Sequence, residues 1–131
     1  MDKIGILTSA LNASSLRQQA ISNNIANAET PNYKAKQVVF EDILKQKLSN
    51  QTTNFTAKRT DPRHLEMGMN GGIPQATMVS DTASVMQNNG NNVDIDGEMT
   101  RMANNSLWYS TLTQQLNSEF QKLSIAIKGR V

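Results

Sequence analysis

The chain has 131 residues, of which 37% are hydrophobic and 5% aromatic, and its formal net charge is +2. This length is typical of one domain, and the low apolar content predicts a thin, elongated core. Because the chain has no cysteine, it cannot form a disulfide, a thiolate metal site or a cysteine nucleophile.

The first predicted element is an amphipathic helix over residues 3–28, which Asp2 can cap. Apolar side chains recur there at alternating spacings of three and four, which is a coiled-coil heptad pattern. Ser14 and Gln18 interrupt this pattern with polar side chains. A long helix with one narrow apolar stripe needs a second helix to pack against. The apolar stripe consists of Ile4, Leu7, Leu11, Ile21 and Ile25.

A rigid corner follows this helix. Proline disfavours helical backbone at the residue before it, so the helix should end at or before Thr30. Asparagine tolerates positive φ, so Pro31 and Asn32 are predicted to form the centre of a type II turn. Tyr33 comes directly after the turn, and an aromatic side chain on a rigid corner is typical of an interface. We therefore predict that Tyr33 contacts another chain in an assembly.

The middle of the chain, residues 31–93, is predicted to be irregular and partly flexible. Apolar residues within 38–48 indicate one short helix or a strand followed by a helix. Residues 51–58 and 73–79 are candidates for short extended segments. Residues 87–92, with the sequence QNNGNN, are of low complexity and are predicted to be mobile.

The last predicted element is a helix over residues 95–128, with Asp94 as its N-cap and Gly129 as its stop signal. A second heptad pattern runs along it, with polar Ser106 and Thr113 in its middle. Leu112 lies off this predicted seam. The apolar members of the seam are Ile95, Met99, Met102, Tyr109, Leu116, Phe120, Leu123 and Ile127.

Together these elements predict a mainly α fold with one structural domain. The N-terminal coiled-coil helix (residues 1–30) and the C-terminal coiled-coil helix (residues 94–131) pair antiparallel. The middle segment (residues 31–93) joins them and has room for short strands. The apolar residues of both heptad patterns are predicted to pair the helices or to contact other subunits.

The sequence supports neither of two candidate metal sites. Asn92, Asp94 and Asp96 occupy the first ligand positions of an EF-hand loop, but the position that needs a glutamate is Ala103. The only histidine, His64, has acidic neighbours in a polar segment, which is a weak metal signal. No motif for a nucleophile or a phosphate loop is present, so the sequence predicts neither an enzyme nor a cofactor.

A small nucleic-acid-binding protein is the alternative from a different functional class. Residues 34–64 contain seven basic and three acidic side chains, and Tyr33, Phe40 and Phe55 lie among them. The acidic residues interrupt the basic run and the total charge is small. The pattern therefore favours a protein that binds no nucleic acid.

The string SNNIANAETPNYK, residues 22–34, resembles the N-terminal signature of the bacterial flagellar rod and hook family. Many members of that family have glycine where Asn32 stands, and both residues accept positive φ. The residues that carry this resemblance are Asn23, Asn24, Ile25, Ala26, Asn27, Thr30, Pro31 and Tyr33.

A second string, NNVDIDGEMTRMANNSLWYSTLTQQL at residues 91–116, resembles the C-terminal signature of one proximal rod family of the flagellar basal body. It favours the family of protein B over that of protein C or another axial protein. The resemblance implies a structural subunit of the proximal rod that takes no small-molecule substrate. The implied partners are other copies of the chain, other proximal rod proteins, the basal-body adaptor protein at the membrane ring and the flagellar type III export gate.

The resemblance also implies where the protein is located. It implies the rod of the basal body, on the periplasmic side of the inner membrane, after export without a cleaved signal peptide. The start of the chain, MDKIGILTSAL, agrees with this, because it lacks a basic region followed by a long apolar run. In this arrangement the terminal helices are innermost, around a central channel.

Overall fold

The computed structural model of the protein describes residues 3–50, 73–81 and 90–129. In chain order the elements are α1 (Lys3–Ala26), β1 (Lys36–Val39), α2 (Glu41–Asn50), β2 (Thr77–Ser80) and α3 (Ile95–Lys128). The predictions for Asp2, for residues 51–58 and for His64 lie outside the described residues. No helix in the described part of the chain is long and apolar enough to cross a membrane.

Local signals set the ends of α3. The side chain of Asp94 accepts a hydrogen bond from the backbone N–H of Asp96, and Asp94 itself has extended backbone angles, as expected of an N-cap. At the other end Gly129 has φ 60° and its N–H donates to the carbonyl of Ile125. Both predicted boundaries of this helix are confirmed. The first helix ends at Ala26, two residues before its predicted end.

The two strands form an antiparallel pair in which Lys36 lies opposite Ser80 and Val39 lies opposite Thr77. The strand is followed directly by α2, so the strand–helix alternative for residues 38–48 is confirmed. Part of the extended segment predicted at residues 73–79 is β2. The pairing extends to the residue before β1 and the residue after β2, because the N–H of Asp81 donates to the carbonyl of Ala35 at 2.9 Å.

The terminal helices α1 and α3 pair antiparallel, which confirms the mainly α fold with paired terminal helices. Their apolar core is small and combines both helices with the chain that follows β1. Small side chains at Ala10 and Ala13 let Phe40 and Leu112 approach the axis of α1. Leu7, Leu11, Leu44 and Ala76 pack around this cluster.

The helix pairing uses a different line of α3 from the one that the heptad pattern predicts. Glu98, Asn105 and Leu112 are buried and are spaced seven residues apart. The prediction chose the adjacent line, which includes Met99 and Phe120, and their side chains are 57% and 50% exposed. The prediction that the line of Met99 and Phe120 packs against α1 is therefore wrong within this chain. The exposed residues of the whole predicted seam are Ile95, Met99, Tyr109, Phe120, Leu123 and Ile127.

The reason for this shift is that the heptad pattern follows the line of α3 with the most apolar residues, whereas the buried line contains the polar residues Glu98 and Asn105. Glu98 and Asn105 are buried because amide groups on α1 bond to them, and composition alone does not reveal these bonds. Met102 and Leu116, which the prediction placed on the seam, are half-buried and lie on the other line of the pairing face. The predicted role of the exposed seam residues at a subunit interface stays a prediction.

On α1 the burial is broader than the predicted stripe. Ile21 is buried, and the other four apolar stripe residues, Ile4, Leu7, Leu11 and Ile25, are half-buried. Ala13 and Ala20 lie outside the stripe, yet they are 2% and 1% exposed. The strands cover α1 on a second side, and small residues allow that close approach.

Candidate functional site

The residues of the first motif lie where α1 ends and the chain turns into β1. We use the name asparagine junction for the end of α1 at residues 23–26, the corner at residues 27–36, and the segment of residues 90–98 packed against them. In the corner, Asn32 has φ 58° and the N–H of Tyr33 donates to the carbonyl of Thr30 at 3.3 Å. The predicted turn with positive φ at Asn32 is therefore present.

Asn24 is the central residue of the junction, and its side chain is fully buried. Its Nδ2 donates to the carbonyl of Lys36 at 2.9 Å and to Glu98 Oε2 at 3.2 Å. Its Oδ1 accepts from the N–H of Lys36 at 2.9 Å and from the Tyr33 hydroxyl at 3.3 Å. One amide thus joins α1, β1 and α3, and both its donors and both acceptor positions are used.

Glu98 is 3% exposed, and each of its carboxylate oxygens accepts a hydrogen bond. Arg101, one turn further along α3, donates to Oε1 at 2.7 Å, and Asn24 donates to Oε2. Partial burial, and next the negative charge of Glu98, raise the pKa of Tyr33 above its ordinary value. The raised pKa keeps the phenol neutral at neutral pH, so that its hydroxyl can donate to Asn24 Oδ1.

Asn91 closes the end of α1 from the other side of the junction. Its side chain is fully buried, and Nδ2 donates to the carbonyls of Asn27, Ala28 and Thr30 at 3.0, 2.8 and 2.9 Å. Carbonyls at a helix end have no partner within the helix, so an outside donor must satisfy them when they are buried. The amide of Asn91 supplies this donor from a position more than 60 residues away in the sequence.

Asn92 extends the two-stranded sheet beyond its last backbone hydrogen bonds. Its Oδ1 accepts from the N–H of Ala35 at 2.7 Å, and its Nδ2 donates to the carbonyl of Asp81 at 3.0 Å. The sequence predicts that residues 87–92 are mobile. Residues 87–89 lie outside the described residues, and for Asn91 and Asn92 this prediction is wrong, because both side chains are buried and bonded. Polar composition indicated mobility here, but long-range hydrogen bonds hold these residues in place.

Gly90 gives a test of how rigid the junction is. Its φ is +81°, and a Cβ built there lies 2.6 Å from Asn32 Oδ1, so the Asn32 side chain would have to turn away. We expect Gly90→Ala to lower the free energy of unfolding by roughly 2 kcal/mol, mainly through backbone strain. Urea unfolding measures this loss. The control is Gly129→Ala, with φ +60° and open space around it, where strain frays only the end of α3. Equal small losses in both variants would contradict a rigid junction.

A second polar contact joins the middles of the two helices. Asn105 Oδ1 accepts from the Ser14 hydroxyl at 2.9 Å, and Nδ2 donates to the Ser14 carbonyl and to Gln18 Oε1. Ser14 and Gln18 are the polar residues that interrupt the first heptad pattern. Their partner on α3 fixes the register of the pair, as buried polar residues do in coiled coils.

α3 continues beyond the start of α1. The antiparallel pairs Ser14–Asn105 and Asn24–Glu98 place Lys3, at the start of α1, close to the level of Glu119. The pKa of Glu119 is lowered mainly by its hydrogen bond to Lys122, and the positive charge of Lys3 lowers it further. Every residue from 120 to 128, which we call the α3 extension, is exposed. Its apolar side chains are Phe120, Leu123, Ile125 and Ile127, exposed by 50%, 46%, 52% and 85%.

The structure brings most of the first motif together within the chain. Asn24 is buried and Ile25 is half-buried, whereas Asn23 and Ala26 face outward. Asn27 and Thr30 bond to each other through their side chains, and Pro31 is exposed at the corner. Tyr33 packs against Ala28, Ala35 and Val93 in its own chain. The predicted contact of Tyr33 with another chain stays a prediction.

Sequence reasoning missed several polar residues that organise this site: Asn91, Asn92, Glu98 and Asn105. The available signal for Asn91, Asn92 and Glu98 was their position near the N-cap Asp94, whereas Asn105 lies in the middle of α3, and each gains its role from a distant partner. The acidic residues of the rejected EF-hand pattern have structural roles, since Asp94 caps α3 and Glu98 bonds to Asn24 and Arg101. The described residues contain no cluster of three or more metal-binding side chains.

Comparison with known proteins agrees with the two strings. The family model of the flagella basal body rod protein matches residues 4–34. The chain is 38% identical to the flagellar basal body rod protein FlgB of Bacillus subtilis (strain 168), over 94% of this chain and 91% of the relative. It is 37% identical to FlgB of Borrelia hermsii, over 90% of each chain, and 32% identical to that of Aeromonas hydrophila, over 95% of this chain and 92% of the relative.

Proposed function

Because this chain belongs to the FlgB family of flagellar basal body rod proteins, and is thus a structural subunit of the rod rather than an enzyme, we propose that it assembles at the proximal end of the rod through its paired terminal helices. Its location is the flagellar basal body, and it assembles with other basal-body components. Nothing in the comparisons favours the nucleic-acid-binding alternative.

The finer assignments are part of this proposal. The partners are other copies of the chain, the other proximal rod proteins, the adaptor protein at the membrane ring and the export gate. The protein reaches the periplasmic side of the inner membrane through the flagellar type III apparatus, and no signal peptide is cleaved. The terminal helices line the inner wall of the rod, around its channel.

One observation carries this proposal, namely the α3 extension. Leu123 lies on the same line of α3 as Met102 and Leu116, which are half-buried, but it lies beyond the level at which α1 starts, at Lys3. Phe120 and Ile127 lie beside this line and are also exposed. A pairing face that continues past its partner helix leaves apolar surface for another subunit to cover. Such a contact joins copies along the direction of the helices.

We test this with Leu123→Glu in the parent bacterium with its own copy deleted. The side chain is 46% exposed, so the unfolding free energy of the monomer should change by less than about 0.5 kcal/mol. At an interface, losing an apolar anchor typically costs about 2 kcal/mol, or about thirtyfold in affinity per contact. We expect few or no rods by electron microscopy and no swimming in soft agar, while the protein is still made and exported.

The matched control is Gln121→Glu, which adds the same charge two residues away at an exposed position off this line. It should leave rods and swimming unchanged. Normal swimming of Leu123→Glu would contradict the role of the α3 extension, as would an equal loss in both variants. Exported protein is measured in the periplasmic fraction, which separates failed assembly from failed export.

A further inference from the structure

The outer edge of β1 is a second surface to which the helical assembly gives no role. In an antiparallel pair, residues alternate between positions bonded to the neighbouring strand and positions whose N–H and C=O point the other way. The N–H of Asp81 donates to the carbonyl of Ala35, so Ala35 is at a position bonded to β2. Gln37, two residues further along and opposite Val79, is therefore at a bonded position too. The backbone groups of Lys36 and Val38 therefore point to the outer edge.

Asn24 occupies the first position of that edge. Its amide accepts from the N–H of Lys36 and donates to the C=O of the same residue, at 2.9 Å each. A peptide group of a neighbouring strand would make the same pair of bonds. Two residues along the edge, at Val38, no described side chain takes this place. Asn24 therefore covers the outer edge only at Lys36, and a third strand could pair with this edge from Val38 onwards.

A groove of about 610 Å³ opens at this point. Arg17, Ala20 and Ile21 of α1 line it, together with Lys36 and Val38 of β1. Arg101 and Trp108 of α3 line it as well. A groove beside a strand edge suits a short extended peptide better than a helix, because extended peptides bind by adding a strand to a sheet edge.

The charges of the groove favour an acidic occupant. Arg17 is bound to both carboxylate oxygens of Glu41, at 2.7 and 2.8 Å, and Arg101 is bound to Glu98. Lys36 has no carboxylate partner among residues 3–50, 73–81 and 90–129. The groove therefore contains one cation more than its anions balance, and a carboxylate on the occupant would balance it.

We propose that this groove binds an extended peptide segment of another protein, which adds a third strand to the outer edge of β1 at Val38 and places a carboxylate side chain near Lys36. The segment runs between β1 and α3, with its backbone paired to Val38 and its apolar side chains against Trp108. This surface is separate from the α3 extension, so its test does not depend on rod assembly.

The probe is the synthetic peptide acetyl-Thr-Val-Glu-Val-Thr-amide, added to the full-length protein. Trp108 is the only tryptophan of the chain and lies in the groove, so its fluorescence reports binding directly. The backbone amide of Val38, observed by NMR, reports the new hydrogen bond. We expect saturable binding, a shifted Val38 amide, and roughly tenfold weaker binding when lysine replaces glutamate in the peptide.

Two peptide variants isolate the backbone contact. Each carries one N-methyl group, at the glutamate or at the valine after it, so that only one of them loses an N–H facing β1. We expect one to bind about tenfold more weakly and the other to keep at least half of the original affinity. Equal binding of both, or no saturable binding of the parent peptide, would overturn the proposal.

A matched pair of protein variants tests the same bond from the other side. Val38→Pro removes the edge N–H but no bond to β2, and proline is accepted on an edge strand in this orientation. Val38→Ala keeps the N–H and loses comparable packing. We expect about tenfold weaker binding only for Val38→Pro. An equal loss of affinity in both variants would overturn the strand contact. If the fluorescence of Trp108 changed with protein concentration in the absence of peptide, the groove would bind a second copy of the chain, and the proposal would be overturned.

Discussion

Replacing Asn24 by leucine is expected to lower the free energy of unfolding by about 4 kcal/mol. The leucine has nearly the same volume but removes the four hydrogen bonds of the amide. The N–H and C=O of Lys36 and one oxygen of Glu98 are then left without partners, and each unsatisfied buried group costs about 1–3 kcal/mol. Since domains of this size are stable by about 5–15 kcal/mol, most of the stability should be lost. Urea unfolding followed by circular dichroism measures the change.

Asn23→Leu is the control for this experiment. It is the same substitution on the adjacent residue, whose side chain faces outward. We expect its unfolding free energy to stay within about 0.5 kcal/mol of the parent chain. If the two variants lost similar stability, the buried amide of Asn24 would not be what joins the three elements. Rod yield should follow the same order, because a subunit that does not fold at the junction lacks the antiparallel helix pair.

The second large effect is expected for Leu112→Asp. Leu112 is 7% exposed and packs with Ala10, Ala13 and Phe40, so the substitution removes an apolar contact and buries a carboxylate with no partner. Losing the side chain alone costs about 2–5 kcal/mol, and the unpaired charge adds to this. We expect no cooperative unfolding transition in dilute protein, as measured by circular dichroism during heating.

Two other variants of α3 make this experiment decisive. Leu107→Asp makes the same substitution at a position that is 70% exposed and should change stability little. Met99→Asp lies on the heptad line predicted from the sequence, but its side chain is 57% exposed. The structure predicts a large loss only for Leu112→Asp. A larger loss for Met99→Asp would restore the predicted seam and contradict the observed helix pairing.

The features that the sequence determined by itself are those with a local cause. The boundaries of α3 follow from Asp94 and Gly129, whose own backbone and side-chain preferences favour a helix start and a helix end. The corner at Pro31 and Asn32 follows from a fixed φ before a residue that tolerates positive φ. The two family strings were readable for the same reason, because each is a continuous stretch of sequence.

The tertiary structure alone decided which polar residues are buried. A search for apolar periodicity treats Glu98 and Asn105 as surface residues, and it treats QNNGNN as a mobile loop. In the folded chain Asn24 and Ser14 reach Glu98 and Asn105 across 74 and 91 residues of sequence. Asn91 bonds to the end of α1 across 61 to 64 residues. A polar side chain is buried only where a partner satisfies it, and a distant partner has no local signature. The helix register and the order of the asparagine junction therefore depend on contacts that form only when both ends of the chain meet.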